Sequence, residues 1–148
     1  MFTNRYRIMA IKKCAGAIVY NSEGKIFLMT SPKWNKYVIP GGKIEDSETD
    51  IEALKREIKE ELGIEITDIV KISETIKEPS SDFKDPTLTF HFVSFSAKAL
   101  QTNITPNEEI LEYGWYSLEE ALKLPLLDAT ESLLKKYIEL KKSKAFVN

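Results

Sequence analysis

At 148 residues the chain is long enough for one domain with a buried core, and residues 1–148 are expected to form that single domain. An apolar share of 43%, a charged share of 30% and a formal net charge of -2 belong to a soluble globular protein and argue against nonspecific affinity for nucleic acid or membrane. Cys14 alone cannot form an internal disulfide, no apolar run reaches membrane-spanning length, and the basic start MFTNRYRIMAIKK has no apolar signal core, so a cytoplasmic protein is expected.

Residues before about Lys12 read as a short strand or arm. Cys14 to Tyr20 reads as a strand, with Cys14 a small core residue rather than a nucleophile. Asn21 to Gly24 has the composition of a hairpin turn, and Lys25 to Met29 is the returning strand. Thr30 to Lys36 is a polar loop containing Pro32, followed by a short strand at Tyr37-Val38-Ile39 and a tight turn at Pro40-Gly41-Gly42. A helix then runs from Thr49 to Leu62, with Asp46 or Ser47 offering the N-cap oxygen and Gly63 a left-handed end. Ile51, Leu54, Ile58 and Leu62 form its buried stripe.

Beyond the helix, a strand is predicted from about Asp68 to Lys77 and a turn-rich loop from Glu78 to Pro86. A strand from Thr87 to Ala97 follows, with Phe90 and Phe92 facing one way and His91 and Val93 the other. His91 is read as a core or cleft-wall residue. Gln101 to Asn107 is a loop, and a short strand ends near Trp115. Ser117 and Glu120 have capping-box spacing and open a short helix that stops at Pro125. Asp128 and Glu131 open a last amphipathic helix that ends near Lys142. Strands on both sides of a central helix, then a terminal helix, predict an α/β fold with a mixed sheet between helical layers.

The central helix carries the chemistry. Glu57, Glu60 and Glu61 stand at i, i+3 and i+4 and share one face, where three like charges repel. A solvated acidic face is the usual fate of such residues. A hard divalent cation would turn the repulsion into attraction, and carboxylates are natural Mg²⁺ ligands. The preceding glycine turn brings bare backbone to the helix start, which favours the metal reading.

The spacing of Gly42, Glu48, Arg56-Glu57-Ile58, Glu60-Glu61 and Gly63-Ile64 resembles the Nudix box at every fixed position. Flanking elements extend the likeness back to about Cys14. The resemblance implies an α/β/α sandwich and a hydrolase of nucleoside diphosphates linked to another group, using Mg²⁺ or Mn²⁺. It implies Glu57, Glu60 and Glu61 as metal ligands, with the Gly41 carbonyl as a further one. Arg56 is expected to orient a carboxylate, and Glu48 to make a structural hydrogen bond. Glu109 falls where some members carry a loop glutamate that joins the metal site, with adjacent Glu108 the alternative and solvated loop charges the plain reading of both. Lys43 matches a phosphate-contacting lysine of MutT-like members. Thr30 and Ser31 replace arginines of those members, for which Lys33 or Lys36 can substitute, and this weakens the case for a nucleoside triphosphate. Asp128 falls where some members read a purine edge, although the N-cap of the last helix is the plainer role. Trp34 and Tyr37 either stack on a base or pack under their loop.

Pro79 tilts slightly toward ADP-ribose-type members. The substrates left open are a nucleoside triphosphate, ADP-ribose or another nucleotide sugar, and a dinucleoside polyphosphate. The partner expected is a small-molecule nucleotide, not a nucleic acid or a membrane; the oligomeric state is left open, a homodimer being one option because the resemblance is to a family in which dimers are common. Two rival readings stand: a non-catalytic nucleotide sensor of the same fold, and an acidic structural or interaction domain.

Overall fold

A computed structural model describes residues 11–31, 33, 35–77 and 89–143. The expected N-terminal arm, the 78–86 loop with its Pro79, and Trp34 lie outside the described residues. Among the described residues seven strands build one mixed sheet: β1 (Ile11–Tyr20), β2 (Ile26–Ser31), β3 (Lys36–Val38), β4 (Gly41–Lys43), β5 (Ile66–Lys77), β6 (Thr89–Ala99) and β7 (Tyr113–Tyr116). Among the described residues three helices accompany them: α1 (Asp50–Leu62), α2 (Leu118–Ala121) and α3 (Asp128–Lys142). None of the described helices is long and apolar enough to cross a membrane.

β1 is the axis of the sheet. One edge pairs in parallel with β6 along its whole length, and β6 pairs antiparallel with β5. The other edge is shared by β4, opposite Cys14 to Gly16, and by β2, at Tyr20 opposite Ile26. Met29 of β2 pairs with both Val38 of β3 and Tyr113 of β7, so these two strands flank β2. Strand alternation divides β1 between two cores. Ala15, Ala17 and Val19 meet Leu54, Ile58 and Leu62 of α1, while Ile18 and Tyr20 meet Leu133, Leu134 and Tyr137 of α3. The result is the α/β/α sandwich expected. Leu54, Ile58 and Leu62 are fully buried, and each contributes roughly 1.5–3 kcal/mol. Ile58→Ala would cost about 2–5 kcal/mol and loosen the helix from the sheet.

Several local expectations need correction. The N-cap of α1 is Thr49, not Asp46 or Ser47. Glu52 lies three residues after Thr49 and completes a capping box, donating its N–H to Thr49 Oγ1 at 3.1 Å and accepting the Thr49 N–H at 2.8 Å. Ile51 is 42% exposed, and Ala53 takes its place in the stripe. Gly63 closes the helix as expected, at φ 72°, its N–H donating to the Lys59 carbonyl at 2.9 Å. The glycine turn is in fact strand β4. Gly41 has φ 151°, and a Cβ there would collide with the Ala15 carbonyl of β1. β5 starts at Ile66 and absorbs Asp68, at φ 51°, as a bulge. α2 ends at Ala121, short of Pro125. Asp128 is the first residue of α3, not its cap: Leu127 caps it, with no side-chain hydrogen bond. His91 is a partly exposed member of a surface cluster, its Nε2 2.6 Å from Glu74 Oε2, with Lys71 also paired to Glu74.

Candidate active site

Arg56, on the second turn of α1, is the hub of the helix's charged face. Its Nε and Nη2 bind the two oxygens of Glu48 at 2.6 and 2.9 Å. Nη1 donates to Glu57 Oε1 at 2.9 Å and to Glu60 at 3.3 Å, and Nη2 also donates to the Lys43 carbonyl at 3.0 Å. One planar fork therefore fixes the loop before the helix, strand β4 and two of the three clustered glutamates. The Arg56 hydrogen bonds hold Glu48 down to about 2, assisted by the Glu45 backbone N–H. Glu48 and Glu57 in turn push the Arg56 pKa up. A Cβ at Gly42 would strike the Glu57 carboxylate and push it out of the position in which Arg56 holds it.

Glu61 meets the opposite environment. Its Oε1 accepts the Gly41 N–H at 2.8 Å, which favours the ionised form. Burial outweighs that bond, and the charges of Glu57, Glu60 and Glu109 add to it, so the carboxyl is pushed up to about 7. The Arg56 fork contacts Glu48, Glu57 and Glu60, and Glu61 takes its hydrogen bond from the backbone instead. The charges of Glu57, Glu60 and Glu109 thus act on a Glu61 carboxyl that the Arg56 fork does not contact. Hard oxygen donors with surplus negative charge fit Mg²⁺ or Mn²⁺. Among the described residues no three acidic, histidine or cysteine side chains already converge at ligand distance.

The loop between β6 and β7 brings Glu109 to this cluster. Thr105 and Asn107 donate their N–H groups to the carbonyls of Leu62 and Glu61 at 2.9 and 3.0 Å, tying the loop to the open end of α1. Asn107 Oδ1 accepts the Glu109 N–H at 3.0 Å. Glu109, and not Glu108, is among the charges acting on Glu61. Lys43 occupies β4 with an exposed side chain, opposite Cys14. Cys14 is half-buried rather than a full core residue, and burial pushes its thiol up, with Glu57 adding to the shift.

The other sequence-picked residues gather on the β3 side. Lys33 is exposed in the turn between β2 and β3. Tyr37 is buried and packs edge-on against Tyr116 at 5.9 Å, so it lies under its loop instead of being displayed to a base. Asp128 is exposed, one residue past Leu127, whose N–H donates to the Tyr37 carbonyl at 3.1 Å. Strand alternation in the sequence puts Phe90 and Phe92 on one face without giving them a part in the site, and nothing there gives Glu112 a role. Phe90 and Phe92 stack at 5.7 Å and 6° on the sheet face opposite α1, beside Lys12 and Cys14, and outside the core cluster that α3 covers. Their i, i+2 spacing was the available signal. Glu112, which ties the Glu109 loop to Thr30 and Tyr37, carries no periodic or motif signal at all.

Comparison with known proteins agrees with this geometry. The family model of the NUDIX domain matches residues 11–137. The CTP pyrophosphohydrolase of Escherichia coli (strain K12) is 30% identical over 129 residues, covering 84% of this chain and 90% of that protein. The 8-oxo-dGDP phosphatase NUDT18 of Danio rerio is 26% identical over 113 residues, which are 74% of this chain but only 33% of that much longer protein. The solution structure of the E. coli ORF135 protein superposes with a TM-score of 0.76 at 26% identity, covering 94% of this chain and 96% of that one.

Proposed function

This chain belongs to the Nudix family and is a nucleotide pyrophosphohydrolase, and on that premise we propose that it cleaves a nucleoside triphosphate to the monophosphate and pyrophosphate with Mg²⁺ or Mn²⁺. The observation that carries the metal-dependent reading is the Glu61 carboxyl, raised to about 7 among Glu57, Glu60 and Glu109. The triphosphate is favoured over ADP-ribose by the CTP pyrophosphohydrolase relative, which matches over nearly its whole length. The lysines near β3 and β4 then stand in for the arginines that MutT-like members carry after their second strand. A binding-only sensor has no observation in its favour.

In this reading Glu57, Glu60, Glu61 and the Gly41 carbonyl hold the cation. The bound metal would neutralise phosphate charge and ease deprotonation of a water. Arg56 keeps Glu57 and Glu60 in place and meets no substrate, since its donors already serve Glu48, Glu57, Glu60 and the Lys43 carbonyl. Glu109 takes the proton from the attacking water, a role in which a carboxylate contributes about a hundred- to ten-thousandfold. Lys43 supports the phosphates, Phe90 and Phe92 give the base a stacking surface, and Lys33 and Asp128 rim the nucleoside end. The test is a panel of CTP, other nucleoside triphosphates, 8-oxo-dGTP, ADP-ribose and a dinucleoside polyphosphate, assayed with Mg²⁺ and with Mn²⁺. The expected best substrate is a triphosphate that yields pyrophosphate, with no turnover in excess EDTA. Preference for ADP-ribose, or turnover that survives EDTA, would contradict the reading.

A further inference from the structure

We infer that Tyr37, acting through Glu112, is a positioning residue that sets where the Glu109 carboxylate stands. The inference rests on the reading of Glu109 as the group that takes the water's proton. The 100–112 loop has no helix or strand of its own, so its shape is set by its anchors. The first anchor is the end of α1, through Thr105 and Asn107. The second is Glu112, three residues past Glu109. There the Thr30 N–H donates to the Glu112 carbonyl at 2.9 Å, and the Glu112 N–H donates to Thr30 Oγ1 at 3.1 Å. The Glu112 carboxylate accepts the Tyr37 hydroxyl at 3.0 Å. Glu109 hangs between an anchor on the helix that bears Glu61 and an anchor on the β2–β3 pair.

Tyr37 is fixed in every direction but this one. Its cross-strand partner is Thr30. Its N–H donates to the Pro125 carbonyl at 2.9 Å, and its carbonyl accepts the Leu127 N–H at 3.1 Å. Its ring lies against Tyr116 and is 8% exposed. Hydrogen bonds to Tyr116 and Glu112, together with burial, push its pKa up, so the phenol remains a donor. Glu112 is by contrast exposed, and without the tyrosine an exposed carboxylate has no reason to hold one orientation. Tyr37 thereby joins the Glu109 loop to the turn carrying Lys33 and to the segment leading into Asp128. Displacement of a reacting group by about an ångström can cost up to a hundredfold in rate.

The experiment is a kinetic double-mutant cycle on the whole chain with the best triphosphate from the panel. Tyr37→Phe removes only the hydroxyl and should lower kcat about tenfold, with KM within about twofold. Glu112→Ala should match it, while Glu112→Gln, which keeps an acceptor oxygen, should recover most of the loss. In a Glu109→Gln background, Tyr37→Phe should cost nothing further. The same fractional loss in both backgrounds would assign the tyrosine a purely structural role and overturn the inference. A fully active Glu109→Gln enzyme would overturn it together with the reading of Glu109. If Tyr37→Phe folds poorly, the Glu112 pair, made at an exposed position, decides alone: equal rates for Ala and Gln would overturn it.

Discussion

The loop that leads into α1 and the helix's last turn treat the same side-chain type in opposite ways. At the start of the helix, Glu48 is met by both arms of the Arg56 fork and by a backbone N–H, and its carboxyl falls to about 2. At the end, Glu61 is partly buried, faces three other carboxylates, and rises to about 7. The first region is electrically complete and works as framework. The second is incomplete, and incompleteness of this kind marks where a ligand of opposite charge belongs. One arginine serves the framework and also fixes Glu57 and Glu60 at the edge of the incomplete region, so the two are mechanically joined although their electrostatics differ.

The contrast can be sharpened by mutation. Glu61→Gln removes a carboxylate from the deficient region and should lower kcat by about a hundred- to a thousandfold, read in steady-state assays at saturating Mg²⁺. Glu109→Gln should lower kcat by about a hundredfold, whereas Glu108→Gln should leave it nearly unchanged. If Glu108 is the crippled variant, the loop register is off by one residue. Arg56→Lys keeps the charge but loses the fork, and should lower kcat about tenfold and the melting temperature as well. Full stability in that variant would detach the framework from Arg56. Glu48→Gln, which is not among the charges acting on Glu61, should show the smallest loss of rate and a lowered melting temperature above pH 5.

pH separates the two regions by sign. Glu48 is depressed from 4.5 to about 2, so its contribution to stability is full above about pH 4.5 and is lost as pH falls toward 2. Glu61 is raised from 4.5 to about 7, so its contribution is full below about pH 4.5 and is lost as pH rises through 7. Thermal melts of metal-free protein between pH 5 and 9 should therefore decline on the alkaline side, and the decline should vanish in Glu61→Gln.

Much of this was legible because the signals are local. The uninterrupted run from Thr49 to Leu62, ended by Gly63, determines α1, and the spacing of Glu57, Glu60 and Glu61 survives any error in the rest of the fold. The cap was misread because Asp46, Ser47 and Thr49 are all competent caps. Only the partner, Glu52 at the third position, selects Thr49. Ile51 was misread because periodicity shows which residues could share a face, not which face the sheet reaches. Strand β4 looked like a turn because its residues are glycines. What makes it a strand is β1, far earlier in the chain, whose Ala15 carbonyl leaves no room for a Cβ at Gly41. The ties from Glu112 to Thr30 and Tyr37 span 82 and 75 residues, and no pattern in a single sequence encodes such pairings.

The central claim is that Glu61 carries charge which the folded protein leaves unbalanced until a divalent cation arrives. It is tested most directly by the melting temperature of wild type and Glu61→Gln at pH 8, each in EDTA and in excess Mg²⁺. The account predicts that in EDTA the variant is the more stable by roughly 1–2 kcal/mol, a figure discounted for the partial exposure of the group. It also predicts that Mg²⁺ raises the wild-type melting temperature and hardly moves that of the variant. A variant less stable than wild type in EDTA, or one stabilised by Mg²⁺ as much as wild type, would contradict it.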